Sequence, residues 1–120
     1  MISITTWNVN GFRAALKKNL RESIALLNPD ILCLQEIKAK IEQVTPEEAA
    51  LEGYSHSWNS AERPGYSGVA VYFKDNLVRS VVNGIGSDEF DVEGRVIQLD
   101  IEDFVLFNIY FPNGKMSEER

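Results

Sequence analysis

Apolar side chains recur along the first part of the chain with two different periods. Ile2–Val9 is rich in β-branched and aromatic residues, which favours a strand. A helical period follows and predicts one continuous helix from about Arg13 to Leu27. The apolar residues of that helix are Phe12, Leu16, Leu20, Ile24 and Leu27. Ile31–Gln35 is then a short apolar run, as expected for a strand buried on both faces.

The rest of the chain predicts one short helix and five strands. Thr45 to Glu48 reads TPEE, a capping box with proline at the first helical position, and Gly53 ends that helix. Strands are predicted at Tyr54–Asn59, Gly68–Lys74, Val78–Val82, Arg95–Ile101 and Phe104–Phe111. Helices early and strands later predict an α/β fold, with a mixed β-sheet and flanking helices.

Length and composition limit the class of protein. At 120 residues the chain is one domain at most and can bury a core of its own. Its one cysteine, Cys33, excludes an internal disulfide and suits a reducing compartment. No apolar run approaches the ~20 residues of a membrane span, and no secretory signal is visible at the start. We therefore expect a soluble, cytoplasmic protein without membrane contact.

The formal net charge of −6 disfavours a nucleic-acid partner when it is taken as an average. The charges are unevenly placed, however. The first 21 residues carry four cations and no acid, whereas residues 86–103 carry seven acids and one cation. The four cations are Arg13, Lys17, Lys18 and Arg21. One face could therefore attract phosphates while another repels them. Alternatively, the cations form an ordinary solvated helix face.

Polar side chains cluster where the first two predicted strands end. Asn8 and Asn10 are two residues apart and share one face of the first strand's carboxyl end. Glu36 directly follows the second strand. Ligands of open α/β folds bind at this end of the sheet, and Mg²⁺ often binds one or two carboxylates. A magnesium site is therefore one interpretation; the other is that Glu36 is solvated and the amides cap the following helix.

Two further segments carry groups suited to a phosphate or a sugar. Tyr110 ends the last predicted strand and Asn113 lies in the PNG turn beyond it, so both can donate hydrogen bonds to a phosphate oxygen. Gly65 and Gly68 flank Tyr66 in a loop where the backbone can approach a ligand closely. The competing interpretations are a core strand with a surface turn, and a plain β-turn.

Five motifs, in this order, resemble the amino-terminal half of the exonuclease III family. They read WNVNGFRA, PDILCLQEIK, GYSGVAVY, EGRVI and NIYFPNG, and the resemblance covers residues 1–120. This family comprises apurinic/apyrimidinic endonucleases of base-excision repair, within the endonuclease/exonuclease/phosphatase superfamily. The resemblance implies half of a four-layered α/β sandwich. It also implies cleavage of duplex DNA 5′ to an abasic site with Mg²⁺ (or Mn²⁺), often with 3′-to-5′ exonuclease and 3′-phosphatase activity.

The resemblance also implies roles for individual residues. Glu36 matches the magnesium-binding carboxylate, and Asn8 matches the amide that supports the metal and the catalytic network. Tyr110 matches the tyrosine that contacts the scissile phosphate. The family's DNA contacts are matched by Arg13, Lys18, Tyr66, Arg95 and Asn113. Asn10 stands where some members have Asp.

The family's remaining catalytic groups belong to a second half that has no counterpart in these residues. They are a water-activating Asp, an Asp-x-Asn pair and a His paired with an Asp. We therefore expect the 120 residues alone to be inactive. We also expect the chain's sheet to pack on a sheet of the other half. Alone, it would then expose an apolar face with Phe104 and Leu106 unless it paired with that half or with a copy of itself. Ser117 is predicted to begin a further helix.

Two other classes of function stay open at this point. A phosphatase or lipid phosphodiesterase of the same superfamily would share the Asn8 and Glu36 positions, although the basic helix and the GYSG loop favour DNA. A non-catalytic half-domain would bind or assemble without turnover.

Overall fold

The computed structural model of the chain describes residues 2–111, which form seven strands and four α-helices. The strands are β1 (Ile4–Asn8), β2 (Ile31–Gln35), β3 (Ser55–Asn59), β4 (Val69–Phe73), β5 (Val78–Asn83), β6 (Val96–Ile101) and β7 (Phe104–Ile109). The helices are α1 (Phe12–Lys18), α2 (Leu20–Leu27), α3 (Pro46–Ala49) and α4 (Asp88–Asp91). A 3₁₀ turn at Ile41–Gln43 precedes α3.

The strands form two sheets. The first has the order β1-β2-β4-β3, with β1 parallel to β2 and the other pairs antiparallel. It is the mixed sheet that the sequence predicts. The second sheet, β5-β6-β7, is wholly antiparallel. Periodicity indicates which residues form strands but not which strands pair, so this division is not visible in the sequence pattern.

Two hydrophobic cores join the helices, the first sheet and the second sheet into three layers. β2 faces both cores, because successive side chains of a strand point to opposite sides. Leu32 and Leu34 pack with the helices, whereas Ile31 and Cys33 pack against the second sheet. Burial raises the pKa of the Cys33 thiol to about 11, so this group is protonated at neutral pH. The α/β fold and the doubly buried strand are thereby confirmed.

One expectation about packing is wrong, because the chain's own two sheets pack face to face. Leu106 of β7 contacts the core between them rather than lying on an open face. Phe104 is exposed as expected, at 42%. The other exposed apolar residues of β7 are Val105 and Phe107, on the side of the strand that faces away from the first sheet.

The expectation of one continuous helix from Arg13 to Leu27 is also wrong. Asn19 has a φ of 119° in the left-handed region and separates α1 from α2. Its N–H donates to the Ala15 carbonyl and closes α1. Asparagine adopts left-handed backbone more readily than most residues do. Because the break reorients α2, Leu27 is 60% exposed instead of continuing the buried stripe.

The capping box predicted at Thr45 is confirmed, although the helix that it begins ends at Ala49 rather than at Gly53. Thr45 Oγ1 accepts from the Glu48 N–H at 3.1 Å, and Glu48 Oε1 accepts from the Thr45 N–H at 2.9 Å, as a capping box requires. The short α4 lies within residues 84–94, which the sequence predicts as a turn. Across residues 2–111, no helix combines the length and the apolar character needed to cross a bilayer.

Candidate active site

The carboxyl end of β2 is shaped by the backbone of Glu36. This residue has a φ of 57°, which side chains other than glycine seldom adopt. The β2–β4 ladder resumes directly after it, since the Ile37 N–H donates to the Gly68 carbonyl at 3.1 Å. Glu36 is thus an extra residue between two ladder positions, in the manner of a β-bulge. Such an insertion redirects a side chain at a strand end.

The start of α1 holds this turn in place. The Gly11 N–H donates to the Glu36 carbonyl and the Phe12 N–H donates to the Ile37 carbonyl, each at 2.8 Å. The first amides of a helix have no partner within the helix, so these two bonds satisfy both elements at once. Gly11 is the N-cap residue and no side chain caps α1. The interpretation of Asn8 and Asn10 as capping residues is therefore not what the structure adopts.

Three side chains converge on the Glu36 carboxylate. Tyr110 donates its hydroxyl to Oε1 at 3.1 Å, and Asn8 donates its Nδ2 to the same oxygen at 3.4 Å. Lys38 places its Nζ 3.2 Å from Oε2. The carboxylate is only 19% exposed. Groups from β1, β2 and the end of β7 thus meet at one edge of the sandwich.

The two asparagines tie the end of β1 to the same cluster. Asn8 Oδ1 accepts from the Asn10 N–H at 3.0 Å, in a turn where Asn10 has a φ of 47°. Asn10 Oδ1 accepts from Lys38 Nζ at 2.7 Å. Lys38 therefore bridges Asn10 and Glu36.

Lys38 is a site residue that the sequence reasoning missed. A signal was present, because Lys38 stands two residues after Glu36 in the QEIK segment and this spacing places alternate residues on one side of a strand. Its own φ of 55° means that the chain is no longer a regular strand here, so the spacing is not a sufficient guide.

The pKa of Glu36 reflects opposing influences. Partial burial disfavours the charged carboxylate and raises the pKa. Hydrogen bonds from Lys38, Tyr110 and Asn8, together with the Lys38 charge, outweigh burial and hold the pKa below the usual value for glutamate. Glu36 is therefore an ionised group at neutral pH, with Lys38 as its cationic partner.

Tyr110 is fixed through its backbone as well as its hydroxyl. Its N–H donates to the Arg95 carbonyl at 2.8 Å, which continues the β6–β7 ladder by one residue. Its ring packs against the core between the two sheets. Asn113, which sequence reasoning groups with Tyr110, and the helix predicted to begin at Ser117 lie outside the described residues.

The cations of α1 and α2 divide between two environments. Arg13 donates an Nη2 hydrogen bond to the Lys38 carbonyl at 3.3 Å, next to the site, and Lys18 is exposed. Arg21 instead donates to the carbonyls of Glu47 and Glu48 at 2.6 and 3.1 Å, where it joins α2 to α3. The four cations of the early sequence thus do not act as one surface.

Tyr66 and Arg95 meet at Glu93, on the opposite side of the sandwich edge from α1. The Tyr66 hydroxyl donates to Glu93 Oε1 at 3.4 Å, and Arg63 lies 5.2 Å from the centre of the Tyr66 ring. Arg95 forms an ion pair with Glu93, and its side chain is only 12% exposed. A DNA contact by Arg95 would therefore have to be made by a largely covered group.

The acidic stretch of residues 86–103 does not form one repelling face. Its first part, with α4, connects β5 to β6 at the same end of the sandwich as Glu36, because Val96 and Ile109 are paired there. Glu102 and Asp103 lie in the β6–β7 turn at the other end. The sequence average conceals this separation.

The donor chemistry at Glu36 fits a hard divalent cation. No three Asp, Glu, His or Cys side chains converge within residues 2–111, so the described site offers one carboxylate with amide oxygens nearby. Mg²⁺ is commonly held by one or two carboxylates, waters and substrate phosphates. Such a donor set is therefore sufficient for Mg²⁺ that shares its coordination with a substrate.

Comparison with known proteins bears on what this site does. The family model described as endonuclease/exonuclease/phosphatase family matches residues 5–117. The chain belongs to this family. Among similar proteins, the DNA repair nuclease APEX1 of Danio rerio is 41% identical over 115 residues, and an exodeoxyribonuclease of Bacillus subtilis is 39% identical over 120 residues. These alignments cover 94% and 99% of this chain but only 37% and 46% of the relatives.

Solved structures of the family show the same fold. An AP endonuclease from Leishmania major aligns with a TM-score of 0.80 at 31% identity, covering 98% of this chain and 42% of that structure. A 3′ phosphatase from Neisseria bound to a product DNA hairpin aligns with a TM-score of 0.78 at 29% identity, covering 96% and 43%. The chain thus spans less than half the length of each of these relatives.

We expect the Lys38→Met substitution to raise the pKa of Glu36, because it removes a hydrogen bond and a positive charge while partial burial remains. A carboxyl ¹³C NMR titration in EDTA-treated, metal-free buffer measures the pKa of Glu36 in both proteins. Lys17→Met is the matched control, since Lys17 is exposed on α1.

The sign of the stability effect follows from linkage. A folded-state pKa below the unfolded value means that ionised Glu36 stabilises the fold above the unfolded pKa, and that this contribution is lost as pH falls through the folded pKa. An identical Glu36 pKa in wild type and Lys38→Met would contradict the role assigned to Lys38.

Proposed function

We propose that the complete protein carrying this chain is a magnesium-dependent DNA repair nuclease. It hydrolyses the phosphodiester 5′ to an abasic site in duplex DNA, with 3′-to-5′ exonuclease and 3′-phosphatase activity. The observation that carries the proposal is the convergence of Tyr110, Asn8 and Lys38 on Glu36. The names of the relatives, a DNA repair nuclease and an exodeoxyribonuclease, point to the same chemistry.

Three residues of the cluster have distinct parts in this mechanism. Glu36 would hold Mg²⁺ (or Mn²⁺), and Asn8, whose Nδ2 donates to the carboxylate, would orient it and offer an amide oxygen to the metal. The bound cation offsets negative charge on the phosphate oxygens. The hydroxyl of Tyr110, which donates to Glu36, can turn to a phosphate oxygen and stabilise charge that develops as water attacks in line.

The DNA backbone is bound by groups around this cluster. Arg13 and Lys18 on α1 contact phosphates on the β1 side, and Asn113 contacts a phosphate next to Tyr110. Tyr66 packs against the groove by its ring, since its hydroxyl is directed to Glu93. The Arg95 side chain is 12% exposed and contributes a contact only if its pair with Glu93 opens. With DNA as substrate and one buried thiol, we expect the protein in the cytoplasm.

We further propose that residues 1–120 are the amino-terminal half of one catalytic domain. The chain covers 37% and 46% of the curated relatives, and the described strands β1 and β7 each lie at the edge of a sheet. Edge strands and exposed apolar side chains favour pairing with further chain. The exposed apolar residues on these two strands and just beyond β7 are Ile4, Phe104, Val105, Phe107 and Phe111.

Two alternatives follow from the same observations. The family includes phosphatases, so a phosphatase or phosphodiesterase acting on a smaller phosphate is the first. Competition between abasic duplex DNA and such substrates in one reaction distinguishes it. The second alternative is a half-domain that binds or assembles without turnover, which the activity measurements below distinguish.

In the complete protein, Glu36→Gln should lower magnesium-dependent cleavage of abasic duplex DNA on the order of 100-fold, the loss typical of removing a charge-stabilising group. The half-saturating Mg²⁺ concentration should rise and the circular dichroism spectrum should stay the same. Glu52→Gln, at an exposed carboxylate near α3, is the control for loss of one charge. Wild-type activity of Glu36→Gln at limiting Mg²⁺ would remove Glu36 from the metal site.

Replacing Arg13 and Lys18 together by Met should reduce the slope of log affinity against log salt by about 1 to 2 units, because each phosphate contact releases counterions. Lys74 and Arg79 lie at the opposite end of the strands, so their double replacement removes the same charge without touching the proposed surface. Equal slopes in the two double variants would mean that α1 merely faces solvent.

The half-domain proposal predicts that residues 1–120 alone do not nick abasic DNA. They should sediment as a self-associated species, or as a stable pair when the remaining part of the domain is supplied as a second chain. Restored nicking in the mixture would identify the pair as the active unit. A folded 120-residue monomer that nicks DNA with Mg²⁺ would be evidence against the proposal.

A further inference from the structure

A buried amide lies between the two sheets directly beneath Tyr110. Asn108 of β7 is 3% exposed and is one of only two buried polar or charged residues in the described part of the chain. Its Nδ2 donates to the Leu34 carbonyl at 3.1 Å and to the Ala70 carbonyl at 2.9 Å. Leu34 and Ala70 are paired across β2 and β4. One side chain of the second sheet therefore binds two strands of the first.

Gln35 completes the hydrogen bonding of this amide. Its Nε2 lies 2.8 Å from both Asn108 Oδ1 and Thr6 Oγ1, and 3.3 Å from the Cys33 carbonyl. The Gln35 amide has two protons, and it donates them in the two shorter contacts, one to Asn108 Oδ1 and one to Thr6 Oγ1. The resulting chain of hydrogen bonds, from Thr6 through Gln35 to Asn108, connects β1, β2, β4 and β7. Both protons and the oxygen of Asn108 are used, as burial in an apolar core demands.

The position of this hydrogen-bond chain relates it to the site. Gln35 immediately precedes Glu36, and Asn108 precedes Tyr110 by two residues on the same face of the strand. A second polar contact between the sheets, from Asn59 Nδ2 to the Val96 carbonyl at 2.8 Å, joins β3 to β6. The hydrophobic core between the sheets is made of apolar contacts, which carry no direction. Hydrogen bonds near 2.8 Å do have direction and a narrow range of length. A shift of β7 by a fraction of the ~3.3 Å residue spacing would separate Tyr110 from Glu36.

We propose that Asn108 is a positioning residue, which fixes β7 against the first sheet so that the Tyr110 hydroxyl reaches the Glu36 carboxylate. Gln35 has the same function from the other side of the contact. The hydrogen bonds of Asn108 and Gln35 run to Leu34, Ala70 and Thr6, so both side chains act through the strands that they join. The effect on catalysis rests on the proposed function, whereas the effect on the geometry does not.

The test compares two Asn→Leu variants of the complete protein. Asn108→Leu removes the donors and the acceptor while keeping a similar shape. It should lower kcat at least about 10-fold and leave KM within about 3-fold, because a misplaced group costs turnover while no substrate contact is lost. Asn83→Leu is the control, since Asn83 also donates between the sheets, to the Trp58 carbonyl at 3.3 Å, but from β5, which pairs with β6 and not with β7. It should leave kcat unchanged.

A second readout does not depend on activity. The Cζ resonance of ¹³C-labelled Tyr110 reports hydrogen bonding of its hydroxyl. It should move in Asn108→Leu and not in Asn83→Leu, with both proteins well below their melting temperatures. If Asn108→Leu fails to fold, Gln35→Met breaks the same chain at one link and should move the resonance in the same direction.

The outcomes distinguish the proposed nuclease function from the positioning role of Asn108. Should the wild-type protein not cleave DNA, the proposed function fails and the Tyr110 resonance still decides the positioning role. An unmoved resonance, in whichever of Asn108→Leu and Gln35→Met folds, overturns that role. An equal loss of kcat in the two Asn→Leu variants at matched stability overturns it too.

Discussion

Parallel pairing of β1 with β2 is the constraint on which the candidate site depends. Parallel neighbours end at the same edge of a sheet, and the register of Asn8 opposite Gln35 places Glu36 one residue beyond that edge. Were the two strands antiparallel, Asn8 and Glu36 would lie at opposite ends of the sheet. The amides of Gly11 and Phe12 then bind the carbonyls of Glu36 and Ile37, so the pairing also fixes where α1 begins. The Glu36 carboxylate, which we propose as the metal ligand, and the basic helix α1 are thus both placed by the parallel pairing of β1 with β2.

The second sheet supplies the Tyr110 hydroxyl, which the pairing of β1 with β2 cannot provide. Tyr110 is 74 residues from Glu36 in sequence, and only the packing of one sheet on the other brings its hydroxyl to the carboxylate. Since the cores on either side of the first sheet are both apolar, their burial sets the distance between layers but not how the layers slide. The hydrogen bonds of the buried Asn108 amide are directional, and they lie next to Tyr110, where the alignment of the two sheets sets the distance to Glu36. Stability and site geometry are therefore carried by different interactions.

Sequence reasoning succeeded where short segments determine the structure. The doubly buried β2, the capping box at Thr45 and the polar residues at the ends of β1 and β2 are all readable from spacing within a few residues. It failed where the backbone conformation of one residue, or a contact with a residue distant in sequence, determines the structure. Asn19 looks like an ordinary polar position in an apolar stripe, yet its left-handed backbone divides the helix. Lys38 enters the site because Glu36 turns the chain out of the strand, which no periodicity predicts.

The division of the seven predicted strands into two sheets also escaped the pattern, with consequences for the apolar residues of β7. Alternation correctly indicates that neighbouring residues face opposite ways, but not which side is covered. Leu106 is buried because the first sheet lies on its side, and Phe107 is exposed because in the described residues nothing covers the other side. Assignments of individual site residues from the motifs, such as Asn8 and Tyr110, needed no such knowledge of pairing.

The net charge of −6 is a poor guide to the charge that a ligand meets at this edge. Glu102 and Asp103 lie beyond the far end of six-residue strands, roughly 17–20 Å away, whereas salt screens charges beyond about 8 Å at physiological ionic strength. Glu93 is already paired with Arg95, and Asp91 accepts from two backbone amides at 2.9 Å. Exposed acids at the site end include Asp88 and Glu89 of α4 and Glu62 beyond β3. Exposed cations there include those of α1, on the β1 side, and also Lys38 and Arg63. The charge at this edge is therefore mixed, with an unbroken group of exposed cations only along α1, which is where the proposed approach of a polyanion is favoured most.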